Sequence, residues 1–374
     1  MDVNKPLISI IVVTYNGEHH LRQCIPSLKE QTYPKELLEI IVVDNCSSDK
    51  SLEYLQQYHA DVRIICNDSN QGFAKPNNQA AELAKGEYLA LINNDMIAKN
   101  DWLEQLVATA KHSQAECIAG TILNWEGSRI DCLGGGLSVY GHAVQKCWNE
   151  PIETLESHET EEETIFACGG AMLIKRDVYL KIGGFDEDFF AYCEDVDLGW
   201  RLWILGYRVV TSPKAVTYHR HNGTSGKFSK YRRIFHQERN ALGMIYKNYD
   251  SNNYLKFLVG AILRRFARLA EQLRINPKQY YFTHQIIWWH SLRNKIRLIG
   301  RSSVILVQVI AIAGFTHDIR MLTAKRQKIQ EQRVRTDEEV MRLFNSKSTS
   351  FKQQEYKEYF EDSFRFLENS KEQG

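Results

Sequence analysis

The sequence is short of several things, and each shortage excludes a class of protein. Only 7 of its 374 residues are proline, its 22 glycines fall in no three-residue period, and it has no low-complexity tract. Collagen-like and proline-rich extended chains are therefore excluded. No apolar run reaches the ~20 residues that a membrane helix needs. The longest candidate, Val304 to Phe315, is broken by Gln308 and is too short. Cys24, Cys46, Cys66, Cys117, Cys132, Cys147, Cys168 and Cys193 include no CxxC pair, and none lies beyond residue 193. The amino terminus is polar and then enters a strand-like run. No signal peptide is expected, and the thiols are read as reduced, in a cytoplasmic protein. GxGxxG and the P-loop lysine are both missing, which removes the usual dinucleotide and ATPase signatures.

What is present describes a globular chain: 43% hydrophobic and 25% charged residues, enough for two domains or one large domain with an appendage. The net charge is only +1, but it is unevenly placed. Lys214 to Lys328 holds 22 Lys and Arg against 4 Asp and Glu; the rest holds 25 against 42. The basic part suits an anionic lipid, a phosphorylated substrate or nucleic acid. No nucleic-acid motif accompanies it, so nucleic acid is not expected as a partner. The acidic stretch Asn149 to Glu163 reads as a solvated loop.

Leu7 to Thr14 (LISIIVVT), Glu39 to Val43, Val62 to Cys66 and Tyr88 to Ile92 are nearly continuous apolar runs. Helical spacing separates several of them. Such runs predict strands of a parallel sheet covered on both faces, with ligands at their carboxyl ends. Ala167 to Ile174 and Arg208 to Thr211 read as later strands. Helices are expected over Tyr254 to Leu273, Tyr280 to Ile299 and Ser302 to Leu322, and a polar tail from about Ser346.

Polar residues stand where these strands end. Thr14-Tyr15-Asn16-Gly17 follows the first and Asp44-Asn45-Cys46-Ser47-Ser48-Asp49 the second. Each alone is ordinary turn chemistry; on consecutive strands they favour a ligand. The fourth strand ends in Asn93-Asn94-Asp95, where a carboxylate can cap a helix or hold a divalent cation. In Gly183 to Arg201 (GGFDEDFFAYCEDVDLGWR), Glu194, Asp195 and Asp197 crowd behind Phe185, Phe189, Phe190 and Tyr192. Acids suit a helix start. Yet three carboxylates against an apolar wall can also yield a raised pKa and a general base. His219 and His221 flank Arg220 ahead of a glycine-containing loop, a pattern open to a metal or to plain solvent exposure.

These motifs, in this order, resemble the family 2 inverting glycosyltransferases of GT-A fold, and most of all a bacterial rhamnosyltransferase-like branch. The matching segments are IIVVTYNG, IIVVDNCSSDKS, NQGFAKPNN, LINND, CGGAML, GGFDEDFFAYCEDVDLGWR, YHRHNGTSG and HQERNALGMIYKN. The resemblance implies an α/β, doubly wound mixed sheet of GT-A type followed by a basic α-helical region. It implies a nucleotide-diphosphate sugar as donor and a glycan hydroxyl, often lipid-linked, as acceptor. Thr14, Tyr15, Asn16, Asp44, Asn45, Lys75 and Asn94 would bind the nucleotide sugar. Asp95 and His219 would hold Mn²⁺ or Mg²⁺, and Asp195 would be the general base. Gly169, Gly170, Glu194 and Trp200 would form the loop between donor and acceptor. A non-catalytic nucleotide-sugar-binding protein on the same fold is the alternative.

The expected division is a catalytic domain over 1–247, a basic helical region over 248–335 and a polar tail over 336–374. Within the helical region Arg264, Arg265, Arg268, Arg274, Arg293, Lys295, Arg297 and Arg301 lie among Phe257, Phe266, Tyr280, Tyr281, Trp288 and Trp289. Interleaved aromatics and cations suit the inner face of the plasma membrane. A packed bundle or a homo-oligomer is the other use of such helices.

Overall fold

The computed structural model describes residues 5–220, 230–272 and 303–344. Its first half is built from β1 (Ile8–Thr14), β2 (Leu38–Asp44), β3 (Arg63–Cys66) and β4 (Tyr88–Asn93), joined by α1 (Glu18–Lys29), α2 (Ser51–Tyr58) and α3 (Ala74–Leu83). The four strands are parallel, in the order β3-β2-β1-β4. Six of the seven β1 residues are buried, as a strand covered on both faces requires. Thr14 is level with Asp44, and Val13 with Asn93, so three strands release their polar ends at one height.

The sheet then turns mixed. β5 (Met96–Ala98), α4 (Trp102–Ser113) and β6 (Cys117–Asn124) lead through β7 (Ile130–Leu133), β8 (Gly135–Leu137) and β9 (Ala143–Gln145) to β10 (Ala171–Lys175). After β10 come α5 (Arg176–Lys181), α6 (Glu194–Ile204) and β11 (Val209–His219). β10 is antiparallel to both β4 and β6, which joins the two halves, and β11 runs parallel to β6 and antiparallel to β5. The short strand expected at Arg208 to Thr211 in fact continues to His219. Its register shifts between Ser212 and Val216. Pro213 and Lys214 sit in that irregularity and break the apolar pattern that would have shown the strand's length.

Five helices close the described chain: α7 (Lys230–Asn248), α8 (Tyr254–Gln272), α9 (Ser303–His317), α10 (Ile319–Glu331) and α11 (Asp337–Phe344). The single helix expected over Ser302 to Leu322 is two, parted at Asp318, whose carboxylate accepts a 2.8 Å hydrogen bond from Nε of Arg239. α7 packs against α8, α9 and α10. Arg265, expected at a membrane surface, is buried on the inner side of α8. It pairs with Glu238 at 2.7 Å, which compensates a guanidinium withdrawn from solvent. Phe257 likewise faces inward, stacked on Tyr249 at 4.5 Å. The helix expected over Tyr280 to Ile299, with Trp288 and Trp289, lies outside the described residues, as do His221 and the tail from Ser346.

A buried ion network ties α6 to these helices. Asp197 is fully buried on α6. Its carboxylate accepts from Arg201 Nε at 2.8 Å, Asn248 Nδ2 at 3.0 Å and Lys247 Nζ at 3.2 Å. Lys247 also pairs with Asp186, and Lys325 of α10 pairs with Asp186 and Asp188. Burial pushes the Asp197 carboxyl up, but Lys247 and Arg201 outweigh it and hold it below the ordinary range. Removing one member of a buried ionic set leaves its partners charged and unpaired. Asp197→Ala is therefore expected to cost about 3–5 kcal/mol, read as a lowered urea midpoint, with Asp197→Asn costing less. An unchanged midpoint in the alanine variant would contradict the network's role.

Candidate active site

The carboxyl ends of β1, β2 and β4 open into a cavity of about 330 Å³, closed on its far side by residues 168–170 and 190–195 and by His219. Thr14, Tyr15, Asn45, Asn94, Asp95, Gly169, Gly170, Glu194 and Asp195 all line it. Residues from five separate motifs thus converge, as expected of strand ends in an open α/β sheet.

The acid pair opens α6. Asp195 is held at both oxygens: Gly169 N–H donates to Oδ2 at 3.0 Å, and Val196 N–H to Oδ1 at 2.8 Å. The Cys168 thiol also donates to it. Burial raises the Asp195 carboxyl and these donors restrain the rise; the net shift is upward. Glu194 is only 7% exposed, and its Oε2 has no hydrogen-bond partner. Burial first, and then the neighbouring Asp195, push its carboxyl up to about 8. Asp197 takes no part in the cavity, since its charge is consumed by Lys247 and Arg201.

Across the cavity His219, the last residue of β11, faces Asp95: Nε2 lies 3.6 Å from Asp95 Oδ2. On the ring's other side Nδ1 lies 3.5 Å from Asp131 Oδ2. Burial opposes charge on the ring, but the two carboxylates prevail and raise His219 to about 9. Among the described residues no three His, Cys, Asp or Glu side chains gather as a metal cluster. Asp95 and His219 supply one oxygen and one nitrogen donor. Such a pair fits Mn²⁺ or Mg²⁺ when substrate phosphates and water complete the shell.

Several expected residues do other work. Asn16 lies outside the cavity lining, and its Oδ1 accepts Ser48 N–H at 2.6 Å, binding the ends of β1 and β2 together. Asn45 reaches the cavity wall but spends its amide on Gly72 O at 2.7 Å, fixing the loop before α3. Gly72 has φ +84°, and a side chain there would collide with the Phe190 carbonyl. Asp44 is buried at the end of β2; Oδ2 accepts from Ser47 N–H at 3.0 Å while Oδ1 has no partner. Lys75 is exposed on α3 and away from the lining. Trp200 is a correction. It is 1% exposed and packs edge-on to Tyr249 at 4.8 Å, because its place on α6 faces the core, one turn beyond the acids.

Two residues escaped the sequence reading. Asp131, on the otherwise apolar strand β7, is one. Asn240 is the other: its Nδ2 donates to the carbonyls of Phe189, Ala191 and Tyr192 at 3.0, 3.1 and 2.8 Å. Phe190, Tyr192 and Cys193 have φ of 59°, 71° and 68°, left-handed values that cost non-glycine residues about 1–3 kcal/mol each. Asn240 holds that strained loop at the cavity edge. Its signal was the segment HQERN, which matched the family without an assigned role.

Residues 9–183 match the model of Glycosyl transferase family 2, and residues 147–322 that of Glycosyl transferase family group 2. The O-antigen biosynthesis protein RfbC of Myxococcus xanthus is 31% identical over 221 residues, 57% of this chain and 17% of that protein. The glucosyl-dolichyl phosphate glucuronosyltransferase of Haloferax volcanii is 29% identical over 189 residues, 48% of this chain and 56% of that protein. The matches thus cover between about a sixth and just over half of these two relatives' lengths. The mannosyltransferase PcManGT of Pyrobaculum calidifontis, solved with GDP-Man and Mn²⁺, superposes with a TM-score of 0.53 at 16% identity, covering 84% of this chain and 88% of that one. The mixed sheet with its C-terminal helices is the GT-A fold.

The raised carboxyl of Glu194 sets a pH dependence. The native state keeps a proton that the unfolded chain releases near its ordinary value of 4.5, so this group's stabilisation is full below that value and is lost as pH rises toward about 8. Glu194→Gln, which cannot ionise, should gain melting temperature relative to the parent between about pH 5 and 8. A difference that stays flat across that range would show that Glu194 titrates normally.

Proposed function

With a glycosyltransferase family 2 domain over residues 9–183 as the premise, we propose that the chain is an inverting, metal-dependent glycosyltransferase. It moves a hexose, in rhamnosyltransferase-like fashion, from a nucleotide-diphosphate sugar to a glycan hydroxyl in bacterial cell-surface polysaccharide synthesis. Residues 1–247 form its catalytic domain and residues 248–335 its helical region. The observation that carries the reading is Asp195, a carboxylate oriented by two backbone N–H groups in a cavity it shares with Asp95 and His219.

The chemistry follows from those positions. The Gly169 and Val196 N–H groups and the Cys168 thiol take up three of the carboxylate's acceptor sites, so one Asp195 oxygen keeps a free lone pair. The acceptor hydroxyl gives its proton to that oxygen as it attacks the anomeric carbon, and the bond from that carbon to the diphosphate oxygen breaks. One base opposite one leaving group gives displacement with inversion. The upward shift of Asp195 favours proton capture at neutral pH. Glu194, protonated at neutral pH, has a free Oε2 to engage a sugar hydroxyl. Asp44, next to the cavity-lining Asn45, has an unpartnered Oδ1 that would accept from a nucleobase or ribose donor. Asp95 and His219 would hold a divalent cation, which when bound neutralises charge on the departing diphosphate.

No helix among the described residues is long and apolar enough to cross a membrane. The outer side of α8 nevertheless exposes Leu255, Val259, Leu263 and Phe266, and α9 exposes Leu306, Val309 and Ile310. Together with the basic excess between Lys214 and Lys328, this face supports peripheral attachment to anionic lipid, where a lipid-linked acceptor would reside.

Asp195→Asn should retain donor binding and lower transfer about 10²–10⁴-fold, measured as nucleoside diphosphate released from a panel of UDP-, dTDP- and GDP-sugars. Near-parental turnover would overturn the base assignment, and donor binding without turnover in the parent would favour a binding protein. Flotation with phosphatidylglycerol vesicles should carry the full chain at low salt and release much of it at high salt. Absence from the vesicle fraction at low salt, with a stable dimer in solution, would assign the apolar face to self-association.

A further inference from the structure

Asp131 is the least expected charge in this part of the fold. The four residues of β7 are all buried, and the other three are Ile130, Cys132 and Leu133. A carboxylate in such a strand is costly unless a partner compensates it. Asp131 is not among the residues lining the cavity. The sheet supplies its partner. β7 pairs with β6 through Ile130 and Leu123, and His219 of β11 pairs with Asn124 of the same strand. Two neighbours of β6 thus bring a carboxylate and an imidazole to one end of the sheet.

The ring sits between two acids. Asp95 lies on its Nε2 side, facing the cavity, and Asp131 on its Nδ1 side, facing the protein. A carboxylate behind a metal-binding histidine fixes which nitrogen carries the proton and how the ring is turned. We propose that Asp131 is a positioning residue of the cation site, accepting the Nδ1–H of His219 and so presenting Nε2 to a divalent ion shared with Asp95. This rests on the cation reading above and adds to it the group that sets ring geometry.

The test titrates Mn²⁺ alone into the full chain, reading free ion by electron paramagnetic resonance. Asp131→Ala should bind Mn²⁺ about 10–100-fold more weakly than the parent. Asp131→Asn, whose amide oxygen still accepts from Nδ1–H, should show a smaller loss. Long-range ¹H–¹⁵N spectra of histidine-labelled protein, with the His219 signal identified by its absence in His219→Ala, should show one Nδ1–H tautomer in the parent and the Asn variant under metal-free alkaline conditions. In the Ala variant the tautomers should mix. Parental Mn²⁺ affinity and an unchanged tautomer in Asp131→Ala would overturn the proposal while leaving the cation site intact. If Asp131→Ala does not fold, Asp131→Leu, which suits the apolar strand but accepts no hydrogen bond, decides: parental Mn²⁺ affinity and an unchanged tautomer overturn the proposal. Equal Mn²⁺ binding by the parent and Asp95→Ala would remove the cation site itself, and the proposal with it.

Discussion

Asp197 lies fully buried one turn into α6, with cations from α6 and α7 on its carboxylate. The rest of the active region depends on that placement. Lys247 passes from Asp197 to Asp186, and Lys325 extends the chain of charges from Asp186 to Asp188. The network therefore spans α6, α7, α10 and the segment just before the strained loop. A buried ion set is poor evidence of net stability, because desolvation offsets much of the attraction. Its value here is geometric. Few alternative packings pair all of these charges, so the helices have one register relative to α6, and α6 carries Glu194 and Asp195.

That fixed register lets the loop ahead of α6 hold unfavourable backbone. Three non-glycine residues between 190 and 193 sit at positive φ, and Asn240 meets the carbonyls that this turn leaves behind. Arg239, next to it, donates to Asp188 O at 2.9 Å and pairs with Asp318. The helical region and the sheet thus share one architecture around the cavity: strand ends supply Asp95 and His219, and the α7 face supports the acid pair. Strain at such a place is consistent with preorganisation, since relaxed backbone would draw Asp195 away from the Gly169 N–H.

Three carboxylates within four residues look equivalent in sequence, yet each meets a different fate. Glu194 keeps a bare oxygen and rises to about 8; Asp195 is oriented by backbone donors; Asp197 is neutralised by Lys247 and Arg201. Nothing in the spacing distinguishes these roles, because they depend on burial and on distant groups: Gly169 lies 26 positions from Asp195, and Lys247 lies 50 from Asp197. Trp200 and Asn16 show the same limit. Each stands in a motif of the family's active region, and each proved to face another part of the protein. Asp131 and Asn240 show the converse, since their partners come from strands and loops distant in sequence.

The sequence by itself determined the parallel half of the sheet. Continuous β-branched runs can be buried only between two layers of helices, and polar residues after such runs can only emerge at strand ends. The same logic places Thr14, Asn94 and Asp95 at one edge of the sheet. Only the tertiary structure decided which acids carry charge, which asparagines are structural, and that β11 runs on past Pro213 to deliver His219. These are properties of burial and of long-range partners, and a pKa or a hydrogen bond is set by whatever surrounds the group in space rather than by its neighbours along the chain.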